Sequence, residues 1–271
     1  MNRIEGVILD WAGTAVDFGC FAPVHAFVEI FKAAGIAVTM DEARAPMGML
    51  KKDHIRAMLD MPRIKSTWKD RSGSFHDEND VEKLYSQFEP LLMESIEQYT
   101  DPIPGVVETV KKLRADGLKI GSTTGYTNSM MRPVVEAAKS KGYSPDTWIT
   151  PDSTGMCGRP YPYMIFRNME SLKLSASHNV VKVGDTLSDI KEGVSAGVWS
   201  VGVITGSSQM GLSFEEFSSL SESERNIAVK RAEDAFISAG ADFTINKISD
   251  LPLMIDKING LLKEGKRPGT V

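Results

Sequence analysis

The chain has 271 residues, enough for one large domain or for a core with an insertion, and enough to bury a sizeable core. With 42% hydrophobic and 25% charged residues and a net charge of -5, the composition excludes a disordered or fibrous chain and offers no basic stripe for nucleic acid. Two cysteines, Cys20 and Cys157, make no disulfide framework and lack zinc-site spacing, which fits a reducing cytoplasm. No run of about 18 apolar residues is present to cross a membrane, and the N-terminal residues lead into a strand without an apolar signal segment.

The first apolar run, Gly6–Leu9, predicts a buried strand that ends in Asp10-Trp11-Ala12-Gly13-Thr14. From about Cys20 to Thr100 the periodicity is helical throughout. Val24, Val28 and Phe31 form one stripe closing at Gly35, Leu50–Leu59 a second, and Val81, Leu84, Phe88, Leu92 and Ile96 a third. A helix carrying Val106, Val110 and Leu113 closes at Gly117 and leads to a strand at Leu118–Ser122. A helix at Met131–Ala138, a strand at Asp146–Ile149 and a helix at Tyr163–Glu170 follow. Strands at Val180–Val183 and Trp199–Ile204 come next, then a capping box of Ser221 and Glu224 opening a helix that ends near Gly240, and a last strand at Asp242–Ile245. Lys263–Val271 reads as a frayed tail. This alternation predicts an α/β fold, a doubly wound parallel-sheet (Rossmann-like) core formed by residues 1–18 and 100–271. Residues 19–99 are expected to form an inserted α-helical cap above the C-terminal edge of the sheet, where open α/β sheets bind ligands.

Four strand ends carry reactive groups. Asp10 closes the first and can present its carboxylate as nucleophile or metal ligand. Ser122-Thr123-Thr124-Gly125 closes the second, with hydroxyls and an open backbone suited to a phosphate, and Arg159 follows the third, able to neutralise phosphoryl oxygens. Asp185 and Asp189 follow the fourth, one helical turn apart, and with Asp10 make an oxygen-rich pocket suited to Mg²⁺. Each piece alone has a commoner explanation, such as an N-cap aspartate. In this order they resemble the haloacid dehalogenase superfamily over residues 4–18 and 100–265. The resemblance implies that Asp10 attacks phosphorus, that Thr124 and Arg159 hold the phosphate, and that Asp10, Asp185, Asp189 and the carbonyl of Ala12 bind Mg²⁺.

Position 12 departs from the superfamily's phosphatases, which usually carry a second aspartate there to protonate an alcohol leaving group. Alanine suits a leaving group that an acid aimed at oxygen does not help, such as carbon. In the cap, Pro46-Met47-Gly48-Met49-Leu50-Lys51-Lys52-Asp53-His54 places Lys51 in the first turn of a helix facing the core. There the partial positive charge of the helix end and the neighbouring Lys52 both lower an amine pKa, as imine chemistry needs. The plain alternative is that both lysines are solvated.

Asp10-Trp11-Ala12-Gly13-Thr14, Met47-Gly48-x-x-Lys51-x-x-His54 and Thr124-Gly125-Tyr126 together resemble the phosphonoacetaldehyde hydrolases over nearly the whole chain. That resemblance implies hydrolysis of phosphonoacetaldehyde to acetaldehyde and phosphate, in the degradation of 2-aminoethylphosphonate. Lys51 would form a Schiff base, Asp10 an aspartyl phosphate, and the protein would act as a homodimer joined through the cap. His54 stands one turn after Lys51, placed to move protons, Met47 and Tyr126 would shape the aldehyde pocket, and Cys20 lies near the hinge. For Met47 and Cys20, simple packing explains the residue equally well. Two rival readings are a phosphatase or dehalogenase of the same superfamily without Schiff-base chemistry, and a non-catalytic phosphoryl-binding protein.

Overall fold

A computed structural model describes residues 3–270. Five parallel strands, β1 (Gly6–Leu9), β2 (Lys119–Ser122), β3 (Val180–Gly184), β4 (Trp199–Val203) and β5 (Phe243–Ile245), form one sheet in the order β2-β1-β3-β4-β5. β1 lies inside the sheet, buried on both faces, which explains its unbroken apolar run. Alternate residues face opposite sides. Val7 and Leu9 pack with Val181, Val183 and Val201 into the main core, whereas Ile8 joins Ile165, Val180, Ala196 and Val198 on the other face.

Between β1 and β2 the chain forms α1 (Phe21–Ala33), α2 (Met40–Arg44), α3 (Lys51–Leu59), α4 (Pro62–Ser72) and α5 (Glu78–Ser95), followed by α6 (Val106–Ala115). The helices α7 (Asn128–Ser140), α8 (Tyr163–Leu172), α9 (Leu187–Ala196), α10 (Phe214–Ser219), α11 (Glu222–Ser238) and α12 (Leu251–Lys263) complete the described residues. Leu113 of α6 and Ile258 of α12 cover the face of Val7. Ile165 of α8 and Ala196 of α9 cover the face of Ile8, so the sheet is wound on both sides. No helix among the described residues is long and apolar enough to cross a membrane.

The helical block α1–α5 shares one apolar interior, with Phe27 of α1 stacked on Phe88 of α5 at a centroid distance of 4.4 Å. It joins the core through two adjacent connections, because Ile103 N donates to Ala15 O at 2.9 Å and Val16 bridges Pro102. Asp17 and Cys20 in the first connection hold left-handed backbone, with φ of 55° and 54°. The Asp17 carboxylate accepts the N–H groups of Phe21 and Ala22 at 2.9 and 3.1 Å, so an acidic cap at the start of α1 offsets that strain.

Three expectations need correction. Asp146–Ile149 is not a strand. The Asp146 carboxylate itself accepts the Ile120 N–H at 2.8 Å at the edge of β2, while Asp146 N and Ile149 N reach Ile120 O and Ser122 O, so the segment borders the sheet with its side chain doing part of the pairing. The cap holds five helices rather than three, since α2 is short and α4 is polar, with Ile64 its one fully buried side chain, and neither carries much apolar periodicity. The tail is partly held: Lys263 ends α12 and Gly269 N donates to Asp242 Oδ1 at 2.6 Å, while Val271 lies outside the described residues.

Candidate active site

The sheet delivers its functional groups at one edge. Asp10 N donates to Val183 O at 3.0 Å and Thr123 N to Leu9 O at 3.1 Å, so the residues leaving β1, β2 and β3 are held in register as they turn away. Asp10, Ala12, Cys20, Met47, Gly48 and Lys51 line a narrow pocket of about 20 Å³ together with Thr124, Gly125, Tyr126 and Arg159. The residues expected from core and cap therefore meet around one tight pocket. His54, Asp185 and Asp189 stand behind that lining. Pro23 and Thr186, which the sequence did not single out, belong to it.

The cap closes on the core through backbone. Gly48 has φ of +87°, and a Cβ there would lie 2.3 Å from Thr186 Oγ1. A Cβ on Gly125 would lie 2.5 Å from Met49 O, so both glycines are required for the close approach. Ser188 Oγ donates to Met47 O at 2.9 Å, tying the loop before α3 to α9.

Asp10 Oδ1 meets Arg159 Nη2 at 2.7 Å. Burial alone would raise this carboxyl, but the charges of Arg159 and Lys182 outweigh it and hold it below the usual carboxylate range, as a nucleophile requires. Asp185 is pushed well up by burial and by Asp10 and Asp189, and Asp189 is raised chiefly by burial. Oxygen atoms of the three carboxylates lie within 4.8 Å of one another. Ser208 N and Thr14 Oγ1 donate to opposite oxygens of Asp185 at 2.8 and 3.2 Å, fixing its plane. Three clustered carboxylates in a buried, all-oxygen set leave an excess of negative charge that a hard divalent cation balances, so the residues fit such a metal.

Lys51 is the first residue of α3 and only 3% exposed, with Nζ 4.8 Å from the centre of the Tyr126 ring. Burial brings its ammonium down to about 8, against the pull of Cys20 and Asp10. The cause differs from the sequence reading, because Lys52 turns outward to an exposed ion pair with Glu82 and contributes nothing resolved at Lys51. His54 is fully buried: Nε2 meets Ala43 O at 2.9 Å, the ring stacks on Phe27 at 3.7 Å, and Nδ1 has no partner. Burial and Lys51 drive its pKa well down, so the imidazole is neutral beside the amine. Burial also raises the Cys20 thiol and the Tyr126 phenol, and the Tyr126 hydroxyl is buried without a partner. Thr124 Oγ1 accepts the Tyr126 N–H at 3.1 Å.

Sequence reasoning missed Lys182 and Glu192, which underlie the site, and offered the Thr123 hydroxyl to phosphate, whereas it lies on these two residues. The available signal was Lys182, a charge in the middle of the apolar strand Val180–Gly184.

Comparison with known proteins accords with this geometry. The haloacid dehalogenase-like hydrolase family matches residues 4–197. The phosphonoacetaldehyde hydrolase of Lysinibacillus sphaericus (strain C3-41) is 57% identical over 257 residues, covering 95% of this chain and 96% of that protein. The chain belongs to the phosphonoacetaldehyde hydrolase family. It is a hydrolase of the haloacid dehalogenase type. Within the family, a bifunctional phosphonoacetaldehyde hydrolase/aminoethylphosphonate transaminase of Clostridioides difficile (strain 630) is 53% identical over 95% of this chain, which spans 40% of that longer protein. A crystal structure of a phosphonoacetaldehyde hydrolase-like protein from Oleispira antarctica superposes with a TM-score of 0.94 at 40% identity, covering 98% of this chain and 96% of that one. The fold is thus shared with that structure over nearly its whole length.

Proposed function

We propose that this protein hydrolyses the carbon–phosphorus bond of phosphonoacetaldehyde, giving acetaldehyde and inorganic phosphate, as the second half of 2-aminoethylphosphonate breakdown. The observation that carries this reading is Lys51, a buried amine with its pKa brought down to about 8, sharing a narrow pocket with Asp10 where residue 12 is alanine. The neutral Lys51 amine condenses with the aldehyde, releasing water and leaving a protonated imine. Asp10 attacks phosphorus, and the electron pair of the breaking carbon–phosphorus bond flows into the imine to give an enamine. No proton is needed at the leaving atom, which accounts for Ala12. Protonation of the enamine carbon and hydrolysis of the imine release acetaldehyde and regenerate Lys51. A second water cleaves the aspartyl phosphate. Arg159 and Thr124 hold the phosphoryl oxygens throughout. Mg²⁺, held by Asp10, Asp185, Asp189 and the Ala12 carbonyl, would screen the phosphonate charge from the nucleophile.

Residues 19–99 act in this reading as a cap that excludes water while the imine forms, with Met47, Gly48 and Tyr126 packed round the aldehyde. His54, expected to move protons, is instead a neutral imidazole packed on Phe27 behind Lys51. The resemblance further supports a homodimer joined through the cap. Two free cysteines, Cys20 and Cys157, suit a cytoplasmic setting.

The direct test supplies phosphonoacetaldehyde and follows acetaldehyde with a coupled dehydrogenase. Phosphate release from ordinary phosphate esters without acetaldehyde formation would instead favour a superfamily phosphatase. Imine formation should depend on pH with the sign set by Lys51. Below about 8 the amine is mostly protonated, so the rate of borohydride trapping should rise about tenfold per pH unit and then level off above that value. A flat profile would separate Lys51 from the imine. Ala12→Asp should not accelerate cleavage of phosphonoacetaldehyde, because it adds negative charge near the phosphonate and has no leaving oxygen to protonate. A faster variant in steady-state assays would contradict the reading of position 12.

A further inference from the structure

β3 carries a lysine between apolar neighbours, and Lys182 is fully buried. Removing an ammonium from water costs several kcal/mol, so such a residue persists where its charge is matched. Lys182 Nζ lies 2.8 Å from Asp189 Oδ1 and 3.4 Å from Glu192 Oε2, and donates to Thr123 Oγ1 at 2.9 Å. Glu192 Oε2 also accepts from Arg159 Nε at 3.0 Å and from Thr123 Oγ1 at 2.9 Å. Arg159 Nη2 closes the ring, donating to Thr123 Oγ1 at 2.9 Å and lying 3.0 Å from Asp189 Oδ1. Of these five side chains only Arg159 lines the cavity.

We infer that Lys182 and Glu192 are positioning residues that set the charge and the aim of Arg159 toward the phosphoryl group. The inference rests on the phosphate-holding role proposed for Arg159. Asp189 and Glu192 both draw on the Arg159 guanidinium from beneath the cavity, in competition with the anion above it. Lys182 offsets one of these two negative charges and so weakens their combined hold on Arg159 from below. Glu192 takes Nε, which turns Nη2 to Asp10 at 2.7 Å. The two residues thus act with opposite electrostatic sign on the same guanidinium. Loss of the Lys182 charge weakens the hold on a phosphoryl anion without removing any ligand from the carboxylate cluster. Loss of the Glu192 charge does not weaken that hold, but it releases the guanidinium from its orientation.

The test is a double-mutant cycle in the full-length protein with Lys182→Met and Glu192→Gln. Inorganic phosphate binding is measured by calorimetry in saturating Mg²⁺, and Mn²⁺ binding by water-proton relaxation without phosphate. Lys182→Met should weaken phosphate about tenfold or more while Mn²⁺ binds equally or more tightly. Glu192→Gln should bind phosphate as well as the wild type or better and lose turnover about tenfold, and the double variant should recover phosphate affinity relative to Lys182→Met. A purely structural pair would lose Mn²⁺ and phosphate together in both single variants and show no recovery, and that result overturns the inference. Phosphate affinity within about twofold of wild type in Lys182→Met also overturns it. Should Lys182→Met fail to fold, Glu192→Gln decides alone, since weakened phosphate there contradicts the assigned sign. Wild-type protein that binds no phosphate sinks the Arg159 reading itself, an outcome separate from either variant result.

Discussion

Lys51→Arg should lose carbon–phosphorus cleavage by several orders of magnitude while its divalent-metal binding stays at the wild-type level. Guanidinium remains protonated at any working pH and cannot condense with an aldehyde, so the electron sink disappears although the positive charge remains. Lys51 reaches the cavity from α3 and touches none of the three clustered carboxylates, which is why the metal site should survive. Borohydride added with phosphonoacetaldehyde or acetaldehyde should inactivate the wild type and leave a reduced adduct that peptide mapping places on Lys51. An adduct on Lys52 would mean that the exposed lysine paired with Glu82 is the reactive one. Turnover with no lysine trapped would end the Schiff-base mechanism.

Asp10→Asn should be the other near-complete loss. The amide keeps the shape of the side chain and its place beside Arg159, 2.7 Å from the present carboxylate, but it is a poor nucleophile and a weak metal ligand. Turnover should fall by about three orders of magnitude or more, with an unchanged circular-dichroism spectrum. The melting temperature should fall, because Arg159 loses a buried charged partner whose ionised form the fold favours, although the loss is partly offset by relief of repulsion on Asp185. Retention of more than a few per cent of activity in a preparation free of deamidated protein would remove Asp10 as nucleophile.

The core was legible because its signals are local. An apolar run ending in Asp10, a Thr-Gly turn after Ser122, and an Asp185–Asp189 pair opening a helix each mark a strand end. Asp146–Ile149 misled because Thr147, Trp148 and Ile149 are residues that favour strands, whereas the Asp146 carboxylate takes a hydrogen bond that backbone would otherwise supply. The low pKa of Lys51 was foreseen, but from helix polarity and Lys52. Its actual origin is burial under Tyr126 and Phe27, a property of the assembled fold that spacing does not carry. Lys182 and Glu192 stand in successive elements, but the turn between β3 and α9 breaks any period that would pair them, and Thr123 comes from a distant part of the chain.

The fit of Gly125 against the loop before α3, and of Gly48 in that loop against the turn after β3, leaves no room for a side chain at either place. In the proposed mechanism the amine comes with one segment of the chain and the nucleophile with another, so neither reagent is complete without the other. Asp10 alone would meet a phosphoryl compound that has no way to expel its substituent, and Lys51 alone would meet aldehydes only to bind them and let them go. Fidelity would then come from assembly more than from recognition, as in a lock needing two keys turned at once. An aldehyde without phosphorus, or a phosphate without an aldehyde, would enter and leave unchanged.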